Sequence, residues 1–400
     1  MNKVTSLFYY ILSVALTFGS VNPFTVQVDE AVIGEQQGYT PILLAICVIF
    51  SICDKTVRSY ICDSRCFIKV LVGFDFILLI SGVLYDINTI SEVLLFLTKL
   101  IACEVGFVVF WAYFKCYPSD LNWSLKLYQI SCTLIILLYF VGILSSVLYY
   151  SNGRLFLFGI NPNTFSFMMG LGVLYALNDL LYNDSHKIVK AFDVFSILIL
   201  FMYIILSGSR GTFVFCCFGC ILLMGKQLWK RFYFIIPILI ASCIALSIFV
   251  KDSSEDIALF ERLKDLKLGD ERNELIDNAF QIFADGPIII GIGNNGYVHE
   301  SKIRFQDVRD SHNLIVSTIV LTGMLGTILL IRFLFLLYNR IRKTHYQNKL
   351  AFALLIYMVL IALKTGWVLT YTLMWYVFSV SMALTTLKTK DKPNYKTSQQ

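Results

Sequence analysis

The chain reads as an all-helical, polytopic membrane protein of about twelve spanning helices, with one large extracytoplasmic loop containing short helices. Composition is the first reason. Of 400 residues, 57% are hydrophobic and 15% charged, against roughly 25% charged in soluble domains, and mean hydropathy is +0.71. Apolar runs approaching the ~20 residues that a spanning helix needs recur along the chain. A single long polar break, residues 251–310, interrupts them.

In order, spans are expected near 5–20, 39–53, 67–85, 90–112, 127–149, 163–182, 191–206, 212–225, 232–250, 312–331, 349–366 and 370–387. The first follows Lys3 and runs apolar from Leu7 to Phe18. It has the outline of a signal sequence but lacks a small-x-small cleavage site, so it reads as a retained helix. The second, seventh and eighth are short, which tilt, local thinning or partial insertion accommodates. This gives spans one to nine within 1–250, the loop at 251–311, spans ten to twelve within 312–387, and a tail at 388–400. No internal repeat or low-complexity segment interrupts the series.

Basic residues orient the spans. Lys55, Arg58, Arg65 and Lys69 fall on one side, as do Lys226, Lys230 and Arg231, the basic stretch 332–349, and the tail lysines Lys388, Lys390, Lys392 and Lys396. The other side holds Asp29, Glu30, Glu35, Asp86, Glu92 and the long loop with its thirteen acids and eight bases. Both termini are therefore expected in the cytoplasm and the loop outside. The net charge of +6 follows this topology and is no signal for nucleic acid. All eleven cysteines lie in expected spans or cytoplasmic connections, away from oxidising surroundings. Cys62 and Cys66 have a metal-like spacing but no third or fourth ligand nearby, so no metal is expected.

Several residues at the outer surface carry chemistry. Ser207-Gly208-Ser209-Arg210-Gly211 forms a tight turn between spans seven and eight. Its backbone amides can approach an anion, and the Arg210 fork suits phosphate. The plainer alternative is an interfacial arginine reaching for headgroups. Asp270 to Phe283 reads as a helix capped by Asp270, with Glu271 in its first turn and Ile276, Ala279, Phe280 and Phe283 as its packing stripe. Gly286-Pro287 ends it. Arg272 in the first turn points toward the surface of Arg210 or pairs with a nearby acid. The run from Gly286 to Gly296 lacks the setting of a nucleotide loop and reads as a turn returning the chain to the membrane. Of four histidines, His312 alone sits where the loop meets a span. Its imidazole can take a proton from a hydroxyl; a cap or interfacial role is the alternative. Arg154, ahead of Asn161-Pro162-Asn163, and Lys364, near the outer end of span eleven, are further candidate phosphate contacts. Asp75 and Glu104 lie inside spans and are expected to pair with basic groups, if anything.

Taken together, Arg154 with Asn161-Pro162-Asn163, Ser207 to Gly211, Arg272 before the glycine-rich run, Ser311-His312-Asn313-Leu314 and Thr322-Gly323 with Gly326 resemble the O-antigen polymerase and O-antigen ligase superfamily of bacterial envelope glycosyltransferases. The resemblance covers about the C-terminal two-thirds of the chain. It implies an enzyme of the bacterial cytoplasmic (inner) membrane whose donor is a glycan on undecaprenyl pyrophosphate. It also implies an inverting, metal-independent reaction with no cofactor, and membrane lipids and a chain-length regulator protein as partners. His312 and Arg210 would then be catalytic, and Arg210, Arg272, Arg154 and Lys364 would hold the pyrophosphate. Transfer to another lipid-linked repeat unit, a polymerase, is the favoured expectation. Transfer to lipid A–core, a ligase, is the alternative, and a flippase of lipid-linked oligosaccharide is a more remote one.

Overall fold

The computed structural model describes residues 2–17, 40–86, 89–143, 148–151, 154–157, 162–183, 185–225, 270–306, 311–343, 349–365 and 368–386. Among the described residues the regular structure is helical apart from one small hairpin: α1 (Asn2–Ala15), α2 (Thr40–Cys53), α3 (Lys55–Ile61), α4 (Arg65–Tyr85), α5 (Ile90–Cys116), α6 (Pro118–Phe140), β1 (Leu148–Ser151), β2 (Arg154–Leu157), α7 (Pro162–Tyr182), α8 (Lys187–Leu206), α9 (Arg210–Met224), α10 (Asp270–Asp285), α11 (Gly293–Phe305), α12 (Leu314–Lys343), α13 (Lys349–Ala362) and α14 (Thr372–Leu384). Among the described residues, six helical segments are long and apolar enough to cross a membrane, with α3 and α4 joined as one, and five shorter apolar helices accompany them. The expected ninth span, 232–250, and the loop residues 251–269 lie outside the described residues, as do Asn161 and Cys243.

Local sequence explains most boundaries. Asp54 caps α3 by accepting from the Thr56 N–H at 2.8 Å, so part of the expected 54–69 connection is helical. Pro118 occupies the first turn of α6, where its missing N–H costs nothing. That helix runs from 118 to 140 rather than the expected 127–149. Gly142 ends it with φ 82° and donates to the Tyr139 carbonyl at 2.9 Å. Leu148 and Tyr149, expected at the end of that span, belong to the hairpin, which pairs Ser151 with Arg154.

The centre is aromatic. Phe107 and Trp111 of α5, Phe67 of α4, Phe333 of α12 and Trp375 of α14 form one edge-to-face cluster with centroids 5.4–6.5 Å apart. Buried polar groups are mostly tied. Asp120 accepts from Ser6, Tyr10 and Tyr113 at 2.6, 2.9 and 2.6 Å, fastening α1 to α5 and α6. Lys126 of α6 bonds Asp193 of α8 at 2.5 Å and Asp179 of α7 at 3.1 Å. Asp75 of α4 and Glu104 of α5 are close neighbours, and among the described residues neither forms an ion pair with a base.

The polar region is fastened by glycines. Inside α12, Gly323 has φ 63° and ψ −163° and breaks the helix. Chain 288–292 fills the break: Met324 and Leu325 N–H donate to the Ile288 and Ile289 carbonyls at 3.0 and 3.1 Å, and Ile292 N–H donates to the Val320 carbonyl at 3.0 Å. Gly291, φ 71°, lets the two backbones touch: a Cβ there would lie 2.5 Å from the Gly323 nitrogen. Gly293 lies against Gly82 of α4 in the same way. Residues 293–305, expected as loop, form α11. The stripe of α10 is rotated from expectation. Leu275, Ala279 and Ile282 are its buried residues and Phe280 is exposed, because α10 packs on both α11 and α12. A second fastening joins three elements. Tyr85 at the end of α4 donates to Glu300 at 2.8 Å and lies 3.0 Å from His299 Nδ1. Arg304 bonds Glu300 at 2.7 Å and also Asp285 of α10. The Tyr85 hydroxyl, with help from Arg304, holds the Glu300 carboxyl below its ordinary range.

Gly323→Ala and Gly291→Ala are expected to destabilise the protein by above about 3 kcal/mol. Each adds left-handed backbone strain of about 1–2 kcal/mol to overlap with backbone that cannot swing away. Gly142→Ala meets nothing within 4 Å and should cost only the strain. Thermal unfolding in detergent checks the order, and equal losses at all three would refute it. For Glu300, a depressed folded pKa means stability that is present above about pH 4.3, the unfolded value, and lost as pH falls through the folded value. The gap in Tm between wild type and Tyr85→Phe should therefore be widest at neutral pH and close below about pH 4. A gap that does not change with pH would show that Glu300 does not carry it.

Candidate functional site

Arg210 is the first residue of α9. Gly208, φ 64°, permits the left-handed turn from α8 into α9, and Arg210 N–H donates to its carbonyl at 3.2 Å. Beneath the turn runs a chain of buried hydroxyls. Ser209 donates to Thr212 Oγ1 at 3.0 Å, and so does Ser166 of α7 at 3.2 Å. Ser166 also bonds the carbonyl of Asn163 in its own first turn. The starts of α7 and α9 are thereby held side by side, each presenting amide N–H groups at the positive end of a helix.

Lys364 joins them. It follows α13, and its N–H closes the last turn on the Ile361 carbonyl at 2.9 Å. A Cβ added at Gly211 would lie 2.6 Å from Lys364 Nζ, so the absent side chain of Gly211 makes the room this lysine occupies. Its amine also lies 5.9 Å from the centroid of Phe215. The fold thus brings together two expected site residues, Arg210 and Lys364, that are far apart in sequence. Both are half-buried.

His312 stands at the start of α12 with φ 53°, a left-handed backbone unusual outside glycine. It does not cap the helix. Asn313 does, its side-chain oxygen accepting from Ile315 and Val316 N–H at 3.0 and 3.2 Å. Ser311, fully buried, bonds Ser317 at 2.9 Å. The imidazole is half-buried and its neighbours on both sides are fixed. Arg272 is half-buried in the first turn of α10, the helix packed on α12. Arg154 opens β2 opposite Ser151, a strand that lies against α7. The hydroxyls of Ser166, Ser209 and Thr212 escaped sequence reading because they come from two helices. The Asn313 cap was legible from its place directly before an apolar run.

Comparison with known families adds one finding. Residues 195–331 match the family model described as O-antigen ligase, a span that contains Arg210, Arg272 and His312 and leaves out Arg154 and Lys364. A search of curated proteins finds no match. The arginine turn before α9 and the histidine entry into α12 both fall in this stretch, and the match of residues 195–331 to an O-antigen ligase domain is consistent with the O-antigen polymerase and ligase superfamily.

Proposed function

We propose that the protein is a polysaccharide polymerase of the bacterial inner membrane, moving a growing glycan from undecaprenyl pyrophosphate to a hydroxyl of an incoming lipid-linked repeat unit. The observation that carries this is the meeting of Arg210 and Lys364 at the start of α9, within and beside the O-antigen ligase domain. In this reading both termini are cytoplasmic, about twelve spans cross the membrane, and residues 251–311 lie outside. The acceptor oxygen forms a bond to the anomeric carbon as the bond from that carbon to the phosphate oxygen breaks, inverting the centre. The pyrophosphate leaves with the electron pair, and the hydroxyl proton passes to His312. Arg210 and Lys364, with Arg272 and Arg154, neutralise the charge that develops on the leaving group. One such contact is worth on the order of 3 kcal/mol in the transition state.

The ligase reading differs only in the acceptor, lipid A–core, and is equally consistent with the family match. Transport has one feature in its support, a broken helix. The backbone groups that Gly323 frees are taken by residues 288–292, however, and are not open to a ligand.

In cells lacking the gene, a polymerase leaves a single repeat on the core, whereas a ligase leaves bare core. Wild type restores a ladder, and His312→Ala inserted at normal level should not; a normal ladder from that variant would remove His312 from the mechanism. Gly211→Ala tests the cation pair. Its new methyl displaces the flexible Lys364 amine and leaves the fold intact, so transfer from a lipid-pyrophosphate donor should fall on the order of tenfold. The double variant with Lys364→Ala should be no slower than Lys364→Ala alone. Additive losses would mean that Gly211 acts by another route.

A further inference from the structure

The turn between α10 and α11 exposes apolar side chains where a loop in water would expose polar ones. Ile288 is 47% and Ile289 63% exposed, and Pro287 before them is exposed as well. The arms on either side differ, with Glu274, Asp277 and Gln281 exposed on α10 and Lys302 on α11. Each arm also exposes a large apolar side chain, Phe280 at 45% and Ile303 at 63%, but only the tip exposes consecutive apolar residues, 287 to 289, with no polar one between them.

The tip lies alongside a particular part of α12. The carbonyls of Ile288 and Ile289 accept from Met324 and Leu325, so these isoleucines sit at the level of those residues. Met324 is 51% exposed, and Leu325 and Ile328 continue the same exposed apolar surface. In sequence, α12 carries no charge from Leu314 to Ile331, and Arg332 is the first. Met324 falls ten residues into that run, about 15 Å of helical rise. A second gauge comes from α4, where Ser81, four residues before the end of the helix, donates to the Ile290 carbonyl. That is about 6 Å below the last residue of α4.

We propose that residues 286–292 are a re-entrant tip, with the Ile288 and Ile289 side chains lying among the acyl chains of the outer membrane leaflet. The inference rests on reading α12 as a membrane span. Irregular backbone survives at such depth only when its polar groups are satisfied by protein. Here the carbonyls of Ile288, Ile289 and Ile290 and the N–H groups of Gly291 and Ile292 all have partners. Backbone faces protein, and isoleucine faces lipid. The occupant is lipid because the tip continues the exposed flank of α12 without a polar gap. The tip would anchor α10 and α12, the helices that carry Arg272 and follow His312, to the membrane.

A diazirine-bearing aliphatic amino acid at position 289, at 324 or at 277, one per sample, tests this in the full chain. The protein is placed in nanodiscs of phosphatidylethanolamine and phosphatidylglycerol, illuminated, and its lipid adducts are read by mass spectrometry. Positions 289 and 324 should both give acyl-chain adducts, at least tenfold above position 277. Lipid adducts at 324 with only water quenching at 289, or with crosslinks from 289 to a second copy, would overturn the re-entrant tip. Absence of lipid adducts at 324 as well would overturn the span on which it rests.

Discussion

Backbone hydrogen bonding at the break in α12 is the constraint on which the polar region depends. A helix interrupted inside an apolar bundle frees carbonyls before the break and N–H groups after it, and each costs free energy if left without a partner. The chain solves this by laying residues 288–292 into the gap as a short surrogate for the missing turn. Such contact needs backbones closer than any side chain allows, which is why Gly291 and Gly323 face each other and Gly293 faces Gly82. The result is a rigid joint among α4, α11 and α12, reinforced at the surface by Tyr85, Glu300, Arg304 and Asp285.

The cation site follows a similar economy. Gly208 turns the chain, Gly211 leaves room, and Lys364 comes in from another helix to use it. The hydroxyls of Ser166, Ser209 and Thr212 satisfy one another below the turn, so Arg210 and Lys364 rest on a polar floor rather than on bare hydrocarbon. An anion approaching here would meet two cations and two helix starts without requiring either helix to move, the kind of preorganisation that favours charge developing in a transition state.

Legibility in the sequence followed the range of the interactions. Spans announced by apolar length were found within a few residues, among them α2, α5 and α7. Arg210 and His312 stood out because each sits at a junction between apolar and polar chain, and Arg272 because it opens a helix inside the polar loop. Where pairing is long-range, sequence reading failed. The end of α6 was placed nine residues late because the apolar strand β1 mimics a span, although Asn152-Gly153 marks a hairpin. Helix α11 was hidden by its glycines, Gly293 and Gly296, which serve contacts with α4. The acids Asp75 and Glu104 found each other instead of a base, a meeting that only the packing of α4 against α5 reveals. The company of Lys364 was equally invisible, since nothing local ties residue 364 to residue 211.

The backbone of His312 bears on its role. A non-glycine residue at φ 53° costs on the order of 1–2 kcal/mol, and glycine would adopt it freely. Asparagine is the next cheapest choice, yet the asparagine stands one position later, where its side chain caps α12. Ser311 is likewise committed, buried and bonded to Ser317. The flanking residues therefore stabilise a conformation whose strain falls on His312 between them. Strain at such a position supports a hypothesis of function, and the chemistry specific to imidazole is proton transfer near neutral pH. That argument is independent of the family match, whose span contains His312 but assigns it no role.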